Sequence, residues 1–351
     1  MVGTKTSEVS VFLDVSGHPV GNLPEFALDR DELVAMYTAM VKTRAFDRKS
    51  IALQRTGRLG TYASSLGQEA IGVGVAFAMT AEDVLLPSFR EHGAQLVRGV
   101  GLEELFLYWG GDERGNNFAG PRRDFPVCIP VASQFPHAAG VALSKVQKGE
   151  PGVAVAVAGD GATSKGDFYE AMNIVGVWKL PAVFVINNNQ WAISVRRSDQ
   201  TAAETLAQKG IAAGLPFAQV DGNDVIAVRQ TVNHALESAR SGEGGVLIEC
   251  LSYRLGDHTT ADDASRYREE DEVSPHWKEE PLARLRSYLT LVHGWSKDEE
   301  ESLLHSVQAE VDAAAERYLT TDPEPSRAIF EHLFAAMPDG LLVQAEELGH
   351  G

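Results

Sequence analysis

Two polar groups, Gly159-Asp160-Gly161 and Asn188-Asn189, each close a short apolar run, and together they could hold a small hard cation against an anionic ligand. Mg2+ prefers octahedral oxygen ligation and is usually held by one or two protein oxygens plus phosphate oxygens. The Asp160 carboxylate, the Asn189 amide oxygen and a nearby main-chain carbonyl could fill that role. Gly161 and Ala162 lack bulk, so their N–H groups could approach a diphosphate closely. A lone Gly-Asp-Gly is ordinarily a tight turn. The paired asparagines one crossover later make it a candidate site.

Those residues need two strand ends on one rim. Val153 to Ala158 is an apolar run of buried-strand length, ended by glycine. Phe168, Ala171, Met172, Val175 and Trp178 then recur at helical spacing, Pro181 closes the helix, and Ala182 to Ile186 reads as the next buried strand. A right-handed crossover puts the C-terminal ends of both strands on the same edge, so Asp160 and Asn189 can converge.

The rest of the chain repeats this alternation. Val84-Leu85-Leu86, Phe217 to Val220 and Val246 to Cys250 read as further strands, with helical patterns at Ala202 to Ala213 and Val225 to Ser241, which predicts a doubly wound parallel sheet. Asp29 or Asp31 could cap a helix whose apolar stripe is Leu33, Met36, Met40 and Ala45. Residues 1–30 read as an N-terminal arm, 31–270 as the α/β domain, and 271–351 as a charged helical C-terminal region.

With 351 residues and 44% hydrophobic content, the chain can bury a large core. The formal net charge of -18 argues against a nucleic-acid partner, because a phosphate backbone demands a basic face. No apolar run reaches membrane-spanning length and no secretory pattern opens the chain, so the reading is cytoplasmic with no membrane association. Cys128 and Cys250 form no disulfide framework or metal-ligand spacing and read as core.

The run from Gly159 through Asn189 resembles the thiamine-diphosphate motif of the α subunits of 2-oxo acid dehydrogenase E1 components. The likeness extends through Arg58 to Tyr62, Gly67-Gln68-Glu69-Ala70, Ser88 to Gly93, Ser133 to Pro136, Ala203-Glu204-Thr205 and Tyr253 to His258, in the family's order. It implies a fold of the thiamine-diphosphate-binding type with thiamine diphosphate and Mg2+ as cofactors. It assigns Asp160, Asn189 and the Trp191 carbonyl to the metal, and Phe89, Arg90, Ile129, Val131, Gly161, Ala162, Arg254 and His258 to the cofactor. Ile129 and Val131 would act through their backbone, and some relatives hold a structural potassium ion near Ser133 and Gln134. Phe89 stands where the family more often has tyrosine, which removes a phenol from the phosphate site while Arg90 keeps its fork. Thr259 occupies the place of a regulatory serine of mammalian members.

By the same resemblance His258 and His92 are the catalytic residues, His258 acting on the substrate or lipoyl group and His92 lying near the substrate. The implied reaction is oxidative decarboxylation of a 2-oxo acid with transfer of the acyl unit to the lipoyl group of an E2 acyltransferase. A β subunit would complete the site in an α2β2 heterotetramer. His92 and the segment Gly57 to Tyr62 favour pyruvate, while Gly256-Asp257-His258 and Ala261-Asp262-Asp263 look equally like branched-chain members. Two other classes stay open: a catalytically silent cofactor-holding subunit and a metal-dependent phosphohydrolase. The latter would ordinarily show further carboxylates nearby.

Overall fold

The computed structural model describes residues 8–331 and 333–348; parts of the expected arm and C-terminal region therefore lie outside the described residues. Asp29, rather than Asp31, caps α1 (Arg30–Arg55): its carboxylate accepts from the Asp31 and Glu32 N–H groups. Leu33, Met36, Met40 and Ala45 are buried on one face as the stripe requires. After a loop comes α2 (Glu69–Ala78), then β1 (Val84–Leu86), α3 (His92–Arg98), α4 (Leu102–Trp109) and α5 (Gln134–Lys148).

The expected βαβ unit follows as β2 (Ala154–Gly159), α6 (Gly166–Trp178) and β3 (Ala182–Asn188). A short antiparallel hairpin, β4 (Trp191–Ala192) and β5 (Val195–Arg196), leads into α7 (Arg197–Gln200) and α8 (Lys209–Ala212). Then come β6 (Phe217–Asp221), α9 (Val225–Arg240), β7 (Val246–Leu251) and α10 (Glu270–Val273). The long helices α11 (Pro281–His293) and α12 (Lys297–Thr320) open the C-terminal region, and α12 packs against α1 and α4.

All five strands β1-β2-β3-β7-β6 are parallel in that order, with helices on both faces, as the alternation of strand and helix predicts. The alternation of alanine and valine in β2 sorts these faces. Ala154, Ala156 and Ala158 leave room for the Phe135 and Phe168 rings of α5 and α6. Val155 and Val157 face Val228, Val232 and Leu236 of α9. Each buried aliphatic side chain contributes about 1.5–3 kcal/mol. The sheet is thereby a rigid base for the loops at its edge.

One expected element differs from the structure. The helix anticipated over Ala202 to Ala213 shrinks to the single turn of α8. Its backbone groups are satisfied elsewhere: Arg197 donates to the Ala203 and Glu204 carbonyls, and Ala207 N–H donates to Glu249 at 3.0 Å. After β2, Asp160–Ser164 forms a 3-10 turn and α6 begins at Gly166. The arm also joins the sheet, since Ser10 bridges Val220 of β6 in parallel and Asp224 accepts from the Phe12 and Leu13 N–H groups at 2.7 Å. Cys250 is buried as expected, whereas Cys128 is half-buried on a loop.

Candidate active site

Four parallel strands deliver the site residues to one rim. Phe89 and Arg90 follow β1, Asp160 follows β2, Asn189 and Trp191 follow β3, and Arg254 and His258 follow β7. Registers Gly159↔Asn187 and Asn187↔Cys250 set those strand ends level. The C-terminal edge of a parallel sheet is where such folds bind ligands.

Asp160 is buried, and burial pushes its carboxyl above the ordinary aspartate range, opposed by a hydrogen bond from Gln200 Nε2 at 2.7 Å. The hairpin lies directly on this turn. A Cβ at Gly161 would sit 2.7 Å from the Ala192 Cβ, so only glycine admits that approach. Asn189 is also buried, with its Oδ1 accepting from the Trp191 N–H at 3.2 Å. Gln190 and Ile193, neither of them glycine, hold φ of 72° and 54°. Strain of this kind costs about 1–3 kcal/mol per residue and persists only where surroundings enforce it. Arg254 does so here, donating to the carbonyls of Trp191 at 3.3 Å and Ile193 at 2.8 Å.

The electrostatics ask for an anion. Arg90 and Arg254 are both buried, and neither forms an ion pair with a described carboxylate. Burial and the neighbouring Arg254 push the Arg90 guanidinium down to about 10. Burial likewise lowers that of Arg254, whose Nε has no partner at all. Arg90 spends its fork on the Ser64 carbonyl, on the His258 carbonyl at 2.7 Å and on His258 Nδ1 at 2.9 Å. Guanidinium can only donate, so Nδ1 is the accepting nitrogen and His258 carries its proton on Nε2. Burial, Arg90 and Arg254 lower the His258 imidazole to about 4. At neutral pH it is an uncharged N–H donor.

The loop carrying His258 is pinned rather than loose. Asp262 accepts from the His258 N–H at 2.8 Å and from the Tyr267 hydroxyl, Tyr267 accepts from Arg254 at 2.7 Å, and Arg268 holds the Gly256 carbonyl at 2.9 Å. The Phe89 ring meets the His258 ring edge-on at 6.0 Å.

His92 has partners of its own. It is fully buried, Trp109 Nε1 donates to its Nε2 at 3.1 Å, and its Nδ1 lies 3.5 Å from the Tyr62 hydroxyl, which donates to Asp47 at 2.9 Å. Burial and Arg90 lower it to about 3. Ile129 and Val131 are half-exposed on the connection before α5. Gln134 donates to the Cys128 carbonyl at 2.6 Å, while its buried Oε1 has no partner. Sequence reasoning missed Gln200 on Asp160 and Tyr267 on Arg254, which carry no local signal.

A model of the dehydrogenase E1 component family matches residues 37–326. The chain belongs to that family. It is 40% identical over 340 residues to the pyruvate dehydrogenase E1 component subunit alpha of Staphylococcus aureus strain Mu50, covering 97% of this chain and 92% of that one. The subunit of the same name from Staphylococcus epidermidis strain RP62A is similar to the same degree and over the same shares. The chain is thus an E1 α subunit of the 2-oxo acid dehydrogenase class, whose members use thiamine diphosphate and work within a multienzyme complex. The residues present fit that group: two unpaired buried cations for a diphosphate, an orphaned Arg254 N–H, and a lone carboxylate beside amide and carbonyl oxygens. Among the described residues no cluster of three His, Cys, Asp or Glu could bind a metal by itself. No described helix is long and apolar enough to cross a membrane.

Proposed function

We propose that the chain is the α subunit of a pyruvate-preferring E1 enzyme, active as an α2β2 heterotetramer with thiamine diphosphate and Mg2+ and passing its acyl product to the lipoyl group of an E2 acyltransferase. The observation that carries the reading is the meeting of Asp160, Asn189, Arg90 and Arg254 on one rim, with both arginines unpaired. In this reading the Asp160 carboxylate, Asn189 Oδ1 and the Trp191 carbonyl hold Mg2+, while Arg90 and Arg254 hold the diphosphate, with the backbone of Phe89, Gly161 and Ala162 alongside. Ile129 and Val131 contribute main-chain groups to the cofactor's aminopyrimidine, and Gln134 Oε1 serves a structural potassium ion.

When bound, thiamine diphosphate supplies the electron sink for loss of carbon dioxide from the 2-oxo acid. The chain's own residues bind, orient and donate. His258 presents its Nε2–H to the substrate or lipoyl sulfur, and an anion neutralising Arg90 and Arg254 would raise its proton affinity. His92 acts as a neutral wall residue that fixes Tyr62 and Asp47. Exposed Ile193 and Val195 on the hairpin beside the site support a partner subunit closing over it. The net charge of -18 suits a basic docking domain on the complex core, within the cytoplasm.

The enzyme reconstituted with its β subunit tests the reading by kcat/KM for pyruvate against 3-methyl-2-oxobutanoate. An apolar pocket discriminates by about 10- to 200-fold for each methylene, so pyruvate should be favoured by at least about 10-fold. A reversed ratio would assign it to branched-chain acids. Bound cofactor without turnover of either acid would make it a silent subunit.

A further inference from the structure

Gly67-Gln68-Glu69 matches a family motif, yet nothing in the site so far uses it. The backbone there is built for one placement. Gly67 has φ of 84°, and a Cβ on it would lie 2.8 Å from the Leu255 side chain. Its N–H is held by Glu69 at 3.0 Å, and the Gln68 N–H by the Ser65 carbonyl at 2.9 Å. This turn carries Gln68, buried, to the end of β3.

There Gln68 Oε1 accepts from Asn187 Nδ2 and from Asn189 Nδ2, each at 2.9 Å. The orientation of the Asn189 amide follows from donors that cannot accept. The Trp191 N–H lies 3.2 Å from one end of that amide, and a backbone N–H only donates, so that end is Oδ1. The other end is therefore the NH2 group, and Gln68 Oε1 is its acceptor. Asn187 follows in turn: Gln68 Oε1 can only accept, so Asn187 faces it with Nδ2 and its Oδ1 is left to accept from Ser252 Oγ at 2.8 Å. The Trp191 bond occupies one lone pair of Asn189 Oδ1 and leaves the second for a cation. Gln68 Nε2, by contrast, is buried without a partner, so this side chain is present for its oxygen.

We infer that Gln68 is the positioning residue of the metal site, its carbonyl oxygen locking the Asn189 amide with oxygen rather than nitrogen toward Mg2+. Without that acceptor the Asn189 NH2 group would be left buried and unmatched. The amide would turn to satisfy it and offer hydrogens to the cation. Partners that orient a metal ligand typically control 10- to 100-fold in affinity.

The inference rests on the proposed Mg2+ and thiamine diphosphate site, and the test separates the two. In the reconstituted tetramer, thiamine diphosphate retention is measured by calorimetry as Mg2+ is varied, together with the melting temperature of the metal-free protein. Gln68→Met, near in length and without a good acceptor, should raise the half-saturating Mg2+ by about 10- to 100-fold. The metal-free protein should also melt somewhat lower, because Asn187 and Asn189 each lose a buried acceptor, so the half-saturating Mg2+ is read well below that transition. Gln68→Glu keeps an accepting oxygen and exchanges the idle NH2 group for a second oxygen and a negative charge that draws the cation, so its half-saturating Mg2+ should lie at or below that of the parent. Gln68→Leu should repeat the Met result, and either variant decides if the other fails to assemble. An unchanged Mg2+ dependence in the Met or Leu variant, or a loss in the Glu variant equal to theirs, would overturn the role of Gln68. A parent tetramer that holds no thiamine diphosphate at any Mg2+ concentration would overturn the site as well.

Discussion

Replacing Arg254 by methionine separates an anion ligand from a structural strut. In the cofactor-free protein the substitution removes good hydrogen bonds to the Ile193 carbonyl at 2.8 Å and the Tyr267 hydroxyl at 2.7 Å, with a long one to Trp191 at 3.3 Å. Bonds from a charged donor contribute about 1.5–3 kcal/mol each. Against that loss stands relief from burying a cation that has no carboxylate partner, which costs several kcal/mol per ion. These terms oppose each other and should leave the stability of the cofactor-free protein within about 2 kcal/mol of the parent. Once a diphosphate is bound, only the loss remains. Truncating a buried charged partner costs about 2–5 kcal/mol, or roughly 30- to 4,000-fold in affinity. Cofactor at about 1,000 times the parental Kd stabilises the parent by about 4.1 kcal/mol. A variant bound 100-fold more weakly would gain about 1.4 kcal/mol. Thermal denaturation of the assembled enzyme across a thiamine diphosphate titration reads both quantities. If Arg254→Met melts several kcal/mol lower without cofactor yet keeps the full cofactor-induced gain, Arg254 merely braces the strained hairpin, and the anion-binding assignment is wrong.

Two further outcomes follow from the same geometry. Asp160→Asn keeps an oxygen for Gln200 but removes the buried charge, so Mg2+-dependent cofactor retention should fall by about 3–5 kcal/mol, read by calorimetry at fixed Mg2+; retention equal to the parent would remove Asp160 from the metal. His92 is held near 3, below its unfolded value of 6.5, so as pH falls the unfolded chain takes the proton first. Its contribution to stability is complete above about 6.5 and declines toward 3, so the melting temperature of His92→Gln should depend less steeply on pH across that window than the parent's, and equal slopes would refute its neutral, buried role.

Much of the architecture was legible because it rests on local pattern. The alternating Val and Ala of β2, the continuous apolar run of β3 and the helical period of α6 each state their own environment. Handedness then makes Asp160 and Asn189 neighbours without reference to the rest of the chain. The helix expected at Ala202 to Ala213 failed because long-range acceptors, notably Glu249 on β7, took its backbone hydrogens. No window of neighbouring residues reveals that competition. The setting of His92 is equally long-range, since its partners Trp109 and Tyr62 reach it from separate elements and enclose it.

Residue types and their order therefore determined a parallel sheet with Asp160, Asn189 and two arginines at its C-terminal edge. Which atoms face the ligand was decided only in three dimensions. Gln68 meets Asn189 across 121 positions of sequence, and Arg90 meets His258 across 168. The physical reason is that an amide's orientation and an imidazole's tautomer are set by whichever donor or acceptor folding brings within about 3 Å, and that partner can come from anywhere in the chain.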